Sequence, residues 1–319
     1  MGLLKLRVYM LGTLAVLIGV STLFFTVLLS LAGGEILLMP VFVIAFSLIQ
    51  WLIAPYIIGA MYGVREVSSR EEPELHRMVE RLSTASRIKK PKVMLSALPI
   101  PNAFAYGSPL GGNRVAVTSG LLDKLESEEV EAVLGHELGH LKHRDVQIMM
   151  FVSVLPALFY YIGYSLMMSS FYYRGRSREG NGGLAVLVGT LSMALYFVVT
   201  LFTLGLSRLR EYYADSHAAQ VVEDGPRKLS EALAKITYST GRMRRQSLGA
   251  SGSFKTLFIS DPERAPQDTV ELAHAGGFTT DRELVMSVMA RPLTWADRLV
   301  ELFSTHPNIV KRIRVLQGY

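Results

Sequence analysis

Hydrophobic and polar positions fall in blocks along this chain. Four runs carry no charged residue: Val8–Gly34, Ile36–Val64, Val146–Tyr173 and Gly180–Ser207, each 27 to 29 residues long. About 20 apolar residues cross a bilayer as a helix, so the pattern predicts four membrane spans. The second pair is less uniform, with Gln147, Pro156 and scattered Gly, Ser and Thr. Between the runs the period changes. In "EEPELHRMVERLSTASRI" the residues Leu75, Met78, Val79 and Leu82 recur on one helical face. "KPKVMLSALPIPNAFAYG" and "NRVAVTSGLLDKL" contain short β-type runs bounded by Pro and Gly. "SEEVEAVLGHELGHLKHRD" reads as one helix, with Ser127 able to cap it and Glu128, Glu129 and Glu131 favouring its positive end.

The blocks give an organisation. Residues 1–64 hold two N-terminal spans, 65–145 a first polar segment, 146–207 a membrane hairpin and 208–319 a second polar segment. A hairpin returns the chain to the side it left, so the two polar segments emerge together and can fold as one interrupted domain. Their 193 residues suffice for one core. The expected fold is a mainly α membrane protein: four transmembrane helices plus an α+β domain with a small sheet.

Composition changes this picture little. Lys5 and Arg7 precede an apolar run too long for a signal-peptide core, so Val8–Gly34 reads as an uncleaved anchor. The absence of cysteine excludes disulfides and thiolate chemistry. A net charge of +6 with a pI near 9.4 raises nucleic acid as a partner. The two polar segments are nearly balanced, however, with 12 basic against 12 acidic residues and 16 against 13. Much of the excess flanks the spans, and basic-inside topology accounts for it without nucleic acid. The polar domain is thus expected on the cytoplasmic face of the cell membrane, with Glu35 outside. One observation disagrees: "RGRSREGNGG" puts Arg174, Arg176 and Arg178 on the outer side. We follow the N-terminal bias. The basic, Gly/Ser-rich "GRMRRQSLGASGSF" around Arg242, Arg244 and Arg245 reads as a solvated loop.

The chemistry concentrates in "VLGHELGHLKHRD", where His136, Glu137 and His140 form H-E-x-x-H. Four residues apart on a helix, the two imidazoles project from one face, which suits tetrahedral zinc. Glu137 lies beside them, within reach of water at the metal as a general base. A catalytic zinc needs a third protein ligand and one open position. His143 lies on the same stripe but a turn too far along. "SRLREYYADSHAAQ" offers Glu211 and Asp215, four apart on a second helix: one to bind metal, the other to orient a ligand histidine. The bland alternative is a charged helix face with Arg208 as partner. His217 lies off that stripe and reads as structural.

"HELGH", a membrane hairpin, "SRLREYYAD" and "STHPNIVKRI" together resemble the HtpX family of membrane zinc metalloproteases, relatives of the CAAX prenyl proteases among the gluzincins. The resemblance extends to "NAFAYG" and "VAVTSGLL" and covers nearly the whole chain. It implies one Zn2+ per chain held by His136, His140 and Glu211, with Glu137 as general base and Asp215 supporting a ligand. It also implies that His306 stabilises the oxyanion, and that Asn102, Ala103, Phe104 and Ala105 lie on an edge strand receiving extended substrate. The implied activity is proteolysis of misfolded or membrane proteins, a stress-linked quality-control function, with protein substrates and the lipid bilayer as partners. Two rival readings stand beside it: a processing protease for lipidated C-termini, for which the extra spans are missing, and a membrane scaffold or holdase with a closed zinc site.

Overall fold

The structure, a computed structural model, describes Phe24 and residues 38–173, 182–242 and 280–318. Most of the first expected span, the loop around Arg174–Arg178 and the basic loop beyond Arg242 lie outside the described residues. The described residues divide into two compact units: one of residues 52–146, 207–242 and 280–318, and one of residues 38–51, 147–173 and 182–206 with Phe24. The chain is mainly helical with one small mixed sheet.

The first unit begins with the end of α1 (Leu38–Met61). A four-stranded sheet follows, built from β1 (Val64–Glu66), β2 (Lys92–Ser96), β3 (Ala103–Ser108) and β4 (Gly112–Thr118), in the order β1-β2-β4-β3. β2 and β4 are parallel, with Val93 opposite Val115, and the flanking pairs are antiparallel, with Ala105 opposite Val115. Among the described residues β3 is therefore an edge, paired on one side only. Between β1 and β2 runs α2 (Pro73–Ser86), whose proline in the first turn suits a helix start. Its buried face carries Leu75, Met78, Val79 and Leu82, the four positions that the sequence period picks out.

After β4 the chain forms α3 (Ser119–Lys124) and then α4 (Ser127–Lys142), the H-E-x-x-H helix. Ser127 is not the cap. Glu126 holds that position in a reciprocal capping box with Glu129, whose carboxylate accepts the Glu126 N–H at 2.8 Å. Ser127 lies inside the first turn, where its hydroxyl donates to Glu74. Nor does the helix run through to the apolar stretch that begins at Val146. It ends at His143, Arg144 takes a left-handed φ of 55°, and a new helix, α5 (Asp145–Tyr173), begins. No proline or glycine announces this break.

The first unit also contains the C-terminal part of α6 (Gly182–Val221), α7 (Gly225–Arg242), α8 (Asp281–Ala290), α9 (Trp295–Leu302) and α10 (Ile309–Leu316). Its core joins Val79 and Leu82 of α2, Val115 and Val117 of β4, Val133 and Leu138 of α4, Leu229 and Leu233 of α7 and Ile313 of α10. The motif helix thus runs through the centre of a closed core.

The described residues of the second unit carry no charge. Among the described residues, two helical stretches are long and apolar enough to cross a membrane, Gln147–Met168 and Gly183–Val221. Phe24, Val152, Phe159, Ile162 and Val199 form its core, with the Phe24 and Phe159 rings 4.8 Å apart.

Candidate metal centre

Glycine spacing on α4 sets the distance between the two site helices. Gly135 and Gly139 each precede a motif histidine and face Ala214 and Ala218 of α6 and Val222 just beyond it. A β-carbon at Gly139 would meet the Ala214 Cα at 3.1 Å and the His217 Cβ at 3.1 Å, so even a methyl group requires α6 to give by a few tenths of an ångström. The close approach brings Glu211 and Asp215, one helical turn apart, against His136 and His140.

The four groups converge. His136 Nε2 and His140 Nε2 face each other at 3.2 Å, and each lies 3.5 Å from a Glu211 carboxylate oxygen. Donor atoms of His136, His140 and Glu211 all lie within 4.8 Å of one another. The other nitrogens point elsewhere: His136 Nδ1 is 2.9 Å from Asp215 Oδ1, and His140 Nδ1 is 2.7 Å from Asp145 Oδ2. Those carboxylates assign the ring protons to Nδ1, leaving both Nε2 lone pairs directed inward.

The donor set fits a metal cation. Two imidazole lone pairs and a carboxylate point into one space, and Glu211 Oε2 is buried without a hydrogen-bond partner. Burial disfavours a charged imidazole at His136, but the contacts with Asp215 and Glu211 outweigh it and push its pKa up to about 9. A positive charge belongs here, as proton or metal. At Glu211 burial opposes ionisation, yet the neighbouring His306, His136, His140 and Arg312 together hold the carboxyl well below its usual range.

Asp145 and Arg312 complete the site, and the sequence reading passed over both. Asp145 reaches back to His140 because Arg144 turns the chain, and Arg210 pairs with it at 3.2 Å. The "HRD" following the motif was the available signal. Arg312 on α10 is 1% exposed and donates to Asp215 from Nε at 2.9 Å and Nη2 at 2.6 Å. Its Nη1 is 3.4 Å from Glu211 Oε2. The Asp215 partner is thus Arg312 rather than Arg208, which binds carbonyls at the end of α9.

The remaining candidates are placed as follows. Glu137 is buried, its Oε2 accepting the Ala105 N–H of β3 at 2.8 Å, and burial raises its pKa above the usual carboxylate value. His306 enters from the loop before α10, with Nε2 3.9 Å from Glu211 Oε1 and Nδ1 3.0 Å from Thr305 Oγ1. Ala103, Phe104 and Ala105 lie on β3, and Asn102 immediately precedes it; all four are buried. His143 packs edge-on against Tyr213 and His217, outside the ligand group. His217 Nε2 meets Ser86 Oγ at 2.8 Å in the core.

The model described as Peptidase family M48 matches residues 69–319. The protease HtpX homolog of Thermoplasma acidophilum is 38% identical over 289 residues, covering 88% of this chain and 84% of that protein. That of Aeropyrum pernix is 37% identical over 323 residues, covering 96% and 94%. The crystal structure of S. mikatae Ste24p shares the fold, with a TM-score of 0.52 at 17% identity over 98% of this chain and 67% of that one.

Proposed function

The chain belongs to peptidase family M48 and is a metallopeptidase; on that premise we propose that it is an integral-membrane zinc endopeptidase cutting misfolded or membrane proteins in membrane quality control. The observation that carries this reading is the pair of inward Nε2 atoms at 3.2 Å with Glu211 closing the triangle. His136, His140 and Glu211 would hold one zinc per chain. When bound, the metal supplies Lewis acidity toward water and the scissile carbonyl.

The protein groups do the rest. Glu137 accepts the proton from the attacking water and passes it to the leaving amine nitrogen, a role served by a pKa raised toward working pH. The Ala105 amide fixes the Glu137 rotamer. The His306 imidazole donates to the developing oxyanion. The edge position of β3 in the sheet order supports main-chain pairing with an extended substrate. Both Asp215 oxygens are engaged by Arg312, which favours three protein ligands and an open position over a closed scaffold site.

The bilayer placement rests on the two apolar helices, the apolar α1 and the charge pattern. Four spans, with both termini and the site facing the cytoplasm, form the reading. A cysteine introduced at Ser177 should react with membrane-impermeant maleimide only from outside; labelling only from the cytoplasmic side rejects the topology. Proteomic comparison of membranes carrying the wild type or Glu137→Gln tests the function. Proteins that accumulate in the variant are substrates, and indistinguishable profiles would remove the quality-control assignment.

A further inference from the structure

α9 is an amphipathic helix turned inside out. Trp295, Leu299, Leu302 and Phe303 follow i, i+4, i+7, i+8 spacing, so they share one face, with Val300 at its margin. In a soluble domain that face would be buried. Here all five are exposed, Trp295 by 75% and Phe303 by 59%. Both acidic residues point inward instead: Glu301 is buried against Lys311, and Asp297 pairs with Arg291 at 3.2 Å, while Arg298 is exposed and can extend its guanidinium from beside the apolar face toward the headgroups. Apolar groups outside and ion pairs inside suit a helix whose outer neighbour is hydrocarbon.

A second observation says which neighbour. The carbonyls of Glu301, Leu302 and Ser304 at the C-terminal end of α9 all accept from Arg208, at 2.7, 3.2 and 2.8 Å. Arg208 is the first charged residue after the charge-free run Gly180–Ser207. The end of α9 is therefore held by the residue at which the apolar run stops, where a span meets the headgroup layer. Tryptophan is enriched at that depth.

We propose that α9 is a membrane-surface anchor, its Trp295–Leu299–Leu302–Phe303 face lying in the interfacial layer of the lipid bilayer. The anchor is tied to the site. Glu301 Oε1 accepts the Asn308 N–H at 3.2 Å, Ser304 N donates to Glu301 O at 3.1 Å, and His306 N donates to Ser304 Oγ at 3.2 Å. A lipid-seated α9 thereby sets the height of His306 above the bilayer.

This inference rests on the membrane reading above, and one experiment separates the two. The chain has two tryptophans, so Trp51→Phe leaves Trp295 as sole reporter. The full-length variant is reconstituted into phosphatidylcholine vesicles containing lipids brominated at a shallow or a deep acyl position. Flotation with the vesicles tests membrane insertion itself; failure to float defeats the membrane reading. In floating protein, Trp295 emission should be quenched more by shallow than by deep bromine, and aqueous acrylamide should quench it several-fold less than a free indole. Quenching by acrylamide without bromine, or by neither, which would mean a protein cover, overturns the anchor. If Trp51→Phe does not fold, a nitroxide on Leu299→Cys serves, since the chain has no other cysteine. Oxygen must then relax it more strongly than a water-soluble nickel chelate; the reverse order overturns the proposal.

Discussion

Arg312 and Asp215 lie 97 residues apart, yet they form a two-bonded buried pair, Nε to Oδ2 at 2.9 Å and Nη2 to Oδ1 at 2.6 Å. The pair joins the last helix to the metal centre. It holds Asp215 where one oxygen also faces His136 Nδ1 at 2.9 Å. Removing the guanidinium would leave the buried Asp215 carboxylate without its bidentate cation and take one of several positive neighbours from Glu211. Arg312→Met is expected to destabilise the chain by about 3–5 kcal/mol, the usual cost of half a buried ion pair. Arg312→Met combined with Asp215→Asn should recover part of that loss. Melting temperatures of the two single variants and the double variant in detergent, read as a cycle, check the coupling. Simple additivity would dissolve the pair as an energetic unit.

Metal content should rank the site residues. Glu211→Ala is expected to remove most zinc, because it deletes a donor and leaves only the two imidazoles. Asp145→Asn keeps the shape but weakens the hold on His140 Nδ1. It should lower affinity on the order of 10–100-fold, as loss of a ligand-orienting partner does. Competition with a zinc chelator measures both. Full occupancy in Glu211→Ala would take that residue out of the site.

Glu137→Gln separates binding from chemistry. The amide is nearly isosteric, so zinc stoichiometry should be unchanged, but it cannot take up the proton. Cleavage of an unfolded casein-like substrate should fall by roughly 10²–10⁴-fold. His306→Phe should keep zinc as well and lose about 10²–10³-fold, the worth of one oxyanion donor. Wild-type rates in Glu137→Gln would reject the protease mechanism.

His217 predicts an acid sensitivity. Burial first, then the charges of Lys142, His143 and His136, lower its pKa from 6.5 to about 4. The unfolded chain therefore binds the proton before the folded one does. Stability contributed by the neutral ring is complete above pH 6.5 and is lost as pH falls toward 4. Screened by solvent, the effect is roughly 1–2 kcal/mol. The drop in melting temperature between pH 7 and pH 4.5 should be smaller in His217→Gln than in wild type. Equal drops would remove His217 as the cause.

Gly139 should tolerate little. Valine there needs room now filled by the Ala214 backbone and the His217 side chain. Gly139→Val is expected to separate α4 from α6, weakening zinc retention more than an equally large change at exposed Leu110 would. Chelator resistance equal to wild type would show that the helices need no such approach.

The sequence disclosed residue types at helical spacing and missed the partners that depend on a turn or on tertiary packing. The i, i+4 spacing of His136 and His140 survives any detail of packing, because it belongs to one helix. The same holds for Glu211 and Asp215, and for the buried stripe of α2. Asp145 was passed over because "HLKHRD" carries no helix breaker, and the turn depends on a left-handed Arg144, which local propensity disfavours. Arg312 was invisible for another reason: its partner is 97 residues away and only tertiary packing supplies the pairing. The capping error has the same root. Ser127 is the preferred residue type for a cap, but Glu126 takes the position, where it forms the box with Glu129 while the Ser127 hydroxyl turns to Glu74.

The one-sided pairing of β3 carries a consequence for what such an enzyme can discriminate. In the proposed reading, a chain is admitted by offering main-chain donors and acceptors to Ala103–Ser108, and a residue already bonded within its own helix or sheet has none to offer. Selection is then conformational: susceptibility follows the free energy of local opening of the client rather than its side-chain sequence. Each 1.4 kcal/mol of local stability in the client would slow its cleavage about tenfold while opening is in rapid equilibrium. A damaged membrane protein would be distinguished from its intact copy by the same sheet edge, without any motif to recognise.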